Sequence, residues 1–171
     1  ALKKAYDEND IVIVTAGSSA SVRDMTADVI NELGQPGVFV HGINIKPGKP
    51  TILGIVDKKP VIGLPGNPVS AFVVAHLILS NLMPLYTGVN EVLADRWVKG
   101  RITINVPSVA GREDWVPVRS IGYDEQGVVL FEPIFYKSNL IYSLTRANGL
   151  ARIAPHITGL NSNADVEVLK I

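Results

Sequence analysis

The segment Val61-Ile-Gly-Leu-Pro-Gly-Asn-Pro-Val-Ser70 constrains the fold more than any other stretch of this chain. A β-branched apolar run ends at a Pro-Gly turn and passes at once into a long apolar stretch, the pattern of a buried strand feeding a helix. Asn67 suits the N-cap, because its side-chain oxygen accepts an orphan amide hydrogen of the first turn. Pro68 suits the first helical position, where its missing N–H costs nothing. Gly66 keeps the approach to that turn free of a Cβ. A helix start of this kind presents N–H groups and the positive end of the peptide dipole, which favours an anion. The same pattern also describes an ordinary capped turn that binds nothing.

A second turn of related chemistry lies upstream, at Lys46-Pro-Gly-Lys-Pro50. Pro47 and Pro50 restrict the backbone on either side of Gly48, so the ammonium groups of Lys46 and Lys49 spring from a stiff loop. Two lysines held in this way make a point-charge clamp for phosphate or another oxyanion. Taken alone, the segment is equally a solvated hairpin. A third candidate is the loop Gly17-Ser-Ser-Ala-Ser21, which follows the apolar run Asp10–Thr15. Ligands of open α/β sheets gather at the carboxyl ends of strands, and the amides and hydroxyls of Ser18, Ser19 and Ser21 suit a phosphate or a heterocycle, although the loop also reads as a flexible Ser-rich connection.

The periodicities divide the chain in two. Strands are expected at Asp10–Thr15, Val38–Ile45, Thr51–Val56 and Pro60–Leu64. Helices are expected at Thr26–Leu33 and from Val69 to about Tyr86, the second being apolar on nearly every side and so sandwiched between layers or used between subunits. Beyond Gly88 the pattern turns to short alternating strands, at Arg101–Val106, Trp115–Arg119, Val128–Phe131, Gly149–Ala154 and Asp165–Lys170, with a short helix at Ser138–Arg146. A small β-barrel or sandwich follows from such a series. The boundary falls near residues 88–96, giving an α/β domain over residues 1–90 and a β-rich domain over residues 91–171.

Charge and composition narrow the function. Sixteen basic and sixteen acidic residues cancel, which argues against nucleic-acid binding, since that requires an excess of positive charge. There is no cysteine, so this chain has no disulfide, thiolate nucleophile or cysteine-ligated metal. The most apolar stretch, Val69–Leu82, is interrupted by Ser70, His76, Ser80 and Asn81. It reads as too short and too polar to span a bilayer, and a cytoplasmic protein with no membrane partner is expected. His76 shares a helix face with Val69, Phe72 and Val73 and reads as a packing residue. Gly111-Arg-Glu-Asp114 reads as a charged turn, with Arg112 able to reach a ligand across a dimer.

Lys46-Pro-Gly-Lys-Pro50 and Leu64-Pro-Gly-Asn-Pro-Val-Ser70, in this order and at this separation, resemble the paired KPGKP and LPGNPVS elements of the molybdopterin molybdotransferase family (MoeA-type, including the E domain of gephyrin). Val12-Ile-Val-Thr-Ala-Gly17 is similar to that family's strand and turn, although serines stand where the family carries glycines. The resemblance implies part of a three-layer molybdopterin-binding (MogA-like) α/β domain followed by a small β-barrel-like domain. It implies a transferase of molybdenum cofactor biosynthesis, one that inserts molybdate into adenylylated molybdopterin and releases AMP, and that works as a homodimer.

Substrate binding then falls to Gly17, Ser18, Ser19, Lys46, Lys49, Gly66, Asn67 and Ser70. Asp24 matches the family's acidic residue and would act catalytically by holding a magnesium ion, a hard cation that prefers oxygen ligands. Asp24 reads as readily as an N-cap of the following helix. Against the family, the match begins midway through the α/β domain, so the chain reads as a fragment lacking turnover of its own. Two other readings stay open: a molybdopterin adenylyltransferase of similar fold, and a non-catalytic scaffold like the one gephyrin's similar domain provides.

Overall fold

In a computed structural model the protein is described over residues 1–15, 20–88, 96–135 and 141–171, without the side chains of 20–24 and 141–143. The first half is built on a four-stranded sheet in the order β1 (Val12–Thr15), β5 (Lys59–Leu64), β4 (Ile52–Val56), β2 (Pro36–His41). Strand β5 is central, parallel to β1 and antiparallel to β4. Its continuous apolar run has a simple cause, since both faces are covered. Val61 packs with Ile30 and Ala27 of α2 (Ala20–Leu33), beside α1 (Leu2–Glu8). Ile62 and Leu64 pack with Val74 of α3 (Pro68–Thr87) on the opposite face. The three layers are therefore helices, sheet and helix.

The second half closes a five-stranded barrel from β10 (Gly149–Ile153), β12 (Asp165–Lys170), β6 (Trp97–Ile102), β9 (Val129–Pro133) and β8 (Glu113–Tyr123), with a β8–β10 pairing completing the ring. The interior is filled by Ile102, Val118, Phe131, Ile153 and Val168. Short strands β7 (Val106–Pro107) and β11 (Gly159–Leu160) form a separate ribbon, and a 3-10 helix occupies Ile141–Arg146.

Several boundaries differ from the sequence-based expectation. Helix α2 starts at Ala20 rather than Thr26, so Asp24 lies inside the helix and is not its N-cap. Thr26 and Ala27 are buried on its inner face, small residues that carry little apolar signal. The expected strand Val38–Ile45 is broken. Gly42 turns the chain at φ 93°, and Ile45–Lys46 forms β3, which leaves the first sheet to pair in parallel with Glu113 and Asp114 of β8. The expected strand Arg101–Val106 is shifted toward the N-terminus, because β6 is set by its long-range register with β12, Val98 opposite Val168.

Helix α3 is 20 residues long, longer than the stretch judged too short for a bilayer, and is apolar enough by length and composition to cross one. Packing within the chain accounts for part of that composition, since 22% of the helix's most apolar window is buried. Val74 faces the sheet, while Val73 joins Trp115, Leu150 and Leu169 against the barrel. His76 reaches the barrel as well. Its Nε2–H donates to the Lys170 carbonyl at 3.0 Å, with the Arg96 guanidinium 3.0 Å from the same nitrogen. Burial holds its pKa below the usual histidine value, opposed in part by the Lys170 hydrogen bond and aided to a lesser degree by the Arg96 charge.

The folded protein therefore resists protonating His76 more than the unfolded chain does. Stability is full above the unfolded value near 6.5 and falls as pH drops through the lowered native value. In thermal melts between pH 7.5 and 5, His76→Gln is expected to flatten part of the acid decline. An unchanged pH profile would exclude His76 as its source.

Candidate functional site

Where α/β domain and barrel meet, the structure forms an open cavity of about 610 Å³ whose walls include Lys46, Lys49, Ser70, Arg112 and Asp114. The lysine turn is held from inside. The Gly48 carbonyl accepts from Thr51 N–H at 3.2 Å and from the Thr51 hydroxyl at 2.6 Å, and Ile43 N–H donates to the Lys49 carbonyl at 2.9 Å. Gly48 is obligatory. Its φ is 124°, and a Cβ there would lie 2.4 Å from Val74 Cγ2. Pro47 and Gly48 are thus buried against α3, while the side chains of Lys46 and Lys49 stay exposed. Among the described residues neither lysine is taken by an acidic partner.

The opposite wall comes from the barrel, through β8. The β3–β8 register sets Lys46 beside Asp114, and Asn44 clamps the joint. Its carbonyl accepts from Glu113 N–H at 3.0 Å, and its side-chain amide donates to the Gly111 carbonyl. Asp114 is 3% exposed and accepts hydrogen bonds at both oxygens. It accepts from Arg112 Nε at 2.8 Å and from the Ser108 hydroxyl at 2.9 Å. Arg112, about a third exposed at 32%, is thereby fixed at the cavity wall. Behind it, Glu113 accepts from Arg152 at 2.8 Å and from Trp115 Nε1 at 2.9 Å, which anchors the start of β8. The arrangement places two lysines on one wall and, on the other, an arginine paired with Asp114, around a space large enough for an organic anion.

Of the residues expected from the sequence, Lys46, Lys49 and Ser70 line this cavity together. Gly66 and Asn67 are not among its lining residues. Asn67 caps α3, its Oδ1 accepting from Val69 N–H at 3.1 Å and Ser70 N–H at 3.3 Å. Ala71 N–H is taken by the Asn67 carbonyl at 2.8 Å. The amides at this helix start are therefore spent on the cap. Ser70 itself, 8% exposed, is what the helix brings to the wall. Gly17, Ser18 and Ser19 lie outside the described residues, as does the side chain of Asp24. Sequence reasoning passed over Ser108, read Asp114 as part of a charged turn, and had Arg112 able to reach a ligand across a dimer, whereas both Arg112 and Asp114 line a cavity of their own chain. No local pattern announces a buried carboxylate in Gly111–Asp114.

The side chain of Asp24, the expected magnesium ligand, lies outside the described residues. Among them no group of three metal-ligating side chains occurs, and the buried carboxylate on the cavity wall, Asp114, already has both oxygens engaged.

The family "Probable molybdopterin binding domain" matches residues 1–84, and the family "MoeA C-terminal region (domain IV)" matches residues 99–171. The chain is 34% identical over 169 residues to a protein assigned to molybdopterin biosynthesis in Methanocaldococcus jannaschii, covering 98% of this chain and 38% of that protein. It is 32% identical to the molybdopterin molybdenumtransferase of Haemophilus influenzae, over 85% of this chain and 38% of the relative. The crystal structure of a molybdopterin biosynthesis MoeA protein from Pyrococcus horikoshii superposes with a TM-score of 0.80 at 34% identity, over 98% of this chain and 39% of that one. The chain thus spans about 38% of the length of the curated relatives it matches.

Proposed function

The chain belongs to the MoeA-type molybdopterin molybdotransferase family, and from that premise we propose that its inter-domain cavity serves the insertion of molybdate into adenylylated molybdopterin with release of AMP. The observation that carries this reading is the convergence of Lys46, Lys49, Ser70 and Arg112 on one cavity. In it the lysines neutralise molybdate or the phosphoanhydride, Arg112 offers a planar guanidinium to the same anions, and the Ser70 side chain adds a polar contact. Gly66 and Asn67 contribute by fixing where α3 begins. Gly17, Ser18 and Ser19 complete the ligand loop in this reading. The protein's share of the work is positioning and charge stabilisation more than proton transfer.

Asp24 with magnesium is the remaining part of the proposal, and no step above depends on that ion. The reading also has the protein work in the cytoplasm as a homodimer. Met83, Leu85 and Tyr86, exposed at the outer end of α3, supply apolar surface in keeping with a second copy.

The test is calorimetric titration of this chain with pyrophosphate and with molybdate, alongside molybdate- and magnesium-dependent AMP release from adenylylated molybdopterin. A full-length relative serves as the positive control for release. Lys46→Ala/Lys49→Ala is expected to weaken anion binding by about tenfold or more per lysine, the scale of a charge-assisted contact. Asp24→Asn is expected to remove any magnesium enhancement of binding. This chain is expected to bind without turnover. Wild-type protein that binds neither anion, or lysine variants that bind as well as wild type, would overturn the reading.

A further inference from the structure

Both domains line the cavity with mixed chemistry. The barrel side adds to the Arg112–Asp114 pair a run of apolar side chains that includes Pro107, Ile134 and Phe135. A bare oxyanion has no use for those apolar groups. Phe135 is the residue among them that the fold does not need. Four positions earlier, Phe131 fills the barrel interior at 4% exposure, whereas Phe135 stands 60% exposed. The chain leaves the barrel at Pro133, opposite Val118, and Ile134 N–H donates to the Pro117 carbonyl at 2.8 Å. The backbone immediately before Phe135 is therefore pinned at the cavity rim. A large aromatic ring held exposed beside cations is a platform for a flat partner, because stacking rewards a π-face whatever its sequence of edge atoms.

We propose that Phe135, backed by Pro107 and Ile134, is the specificity-determining contact for the planar heteroaromatic ring of the ligand, with Lys46 and Lys49 reserved for its anionic end. The inference rests on the function proposed above and separates the two halves of the ligand: Lys46, Lys49 and Arg112 hold charge and Phe135 reads the ring. Adenylylated molybdopterin carries two such rings, the pterin and the adenine, and the chemistry Phe135 recognises is common to both.

The experiment measures the affinity of pyrophosphate, AMP and pterin-6-carboxylate for wild type, Phe135→Ala, Phe135→Trp and the double lysine variant. Phe135→Ala is expected to weaken at least one of the two ring ligands by about tenfold and to leave pyrophosphate unchanged, and the ring ligand affected identifies which ring sits there. Phe135→Trp is expected to retain ring affinity. The lysine variant is expected to weaken pyrophosphate. Undiminished binding of both ring ligands by Phe135→Ala, an equal loss of pyrophosphate, or failure of Phe135→Trp to rescue would each overturn the assignment. Wild type that binds pyrophosphate but neither ring ligand overturns this inference alone. Wild type that binds none of the three overturns the proposed function with it.

Discussion

Gly48→Ala is expected to lower the melting temperature by about 6–12 °C, the consequence of roughly 3 kcal/mol in a chain of this size. Two penalties combine. A φ of 124° is strained for any residue with a Cβ, and that Cβ would stand 2.4 Å from Val74 Cγ2 and 3.0 Å from Ile45 Cδ1. Val74 is fully buried between α3 and the sheet, so it has little room to give. The turn must lift off α3, and Lys46 and Lys49 move with it. Loss of pyrophosphate affinity should therefore accompany the loss of stability. Gly111→Ala is the control. Gly111 has a similar φ of 96° but open space where a Cβ would stand, which leaves strain of about 1 kcal/mol without the clash. Circular-dichroism melts of the two variants separate the penalties. A Gly48→Ala protein melting within 2 °C of wild type, on the order of the shift from a sub-kcal/mol change, would show that the turn is not locked against α3.

Asp114→Ala is expected to destabilise the protein by about 2–3 kcal/mol and to weaken anion binding by roughly tenfold. The carboxylate is 3% exposed and serves two donors, Arg112 and Ser108. Without it Arg112 keeps its charge but loses its hold at the cavity wall, and the Ser108 hydroxyl loses its acceptor. Arg112→Ala should cost less stability, since its side chain is 32% exposed, yet it should weaken anion binding by a similar factor. In denaturant unfolding the double variant is expected to be less destabilised than the sum of the singles, because the two side chains form one unit. Additive losses would mean that Asp114 acts on the barrel independently of Arg112.

Local chemistry made much of this protein legible in its sequence. The apolar run Val61–Leu64, the Asn67 cap with Pro68, and the stiff turn around Gly48 each specify their conformation within a few residues. Strand β5, helix α3 and the lysine loop accordingly stand where those residues place them. The alternating segments past Gly88 likewise announced a small barrel or sandwich, because the interior is lined by every second residue of each strand. What the sequence did not disclose depends on partners distant along the chain. Ile45–Lys46 alternates in step with the residues before it, yet it joins the barrel at Glu113 and Asp114. Nothing local encodes a partner 68 positions away. That one pairing sets the lysines against Arg112 and joins the lysine turn and the start of α3 to the barrel around one cavity. The helix start showed the opposite relation. Its capping residues were evident, but only the folded hydrogen bonds reveal that Asn67 consumes the amides an anion would have used. Sequence alone determined the elements and the charged turns, because those follow from short-range sterics and hydrogen bonding. Tertiary structure decided which of them face one another, because burial and register are settled between residues far apart in the chain.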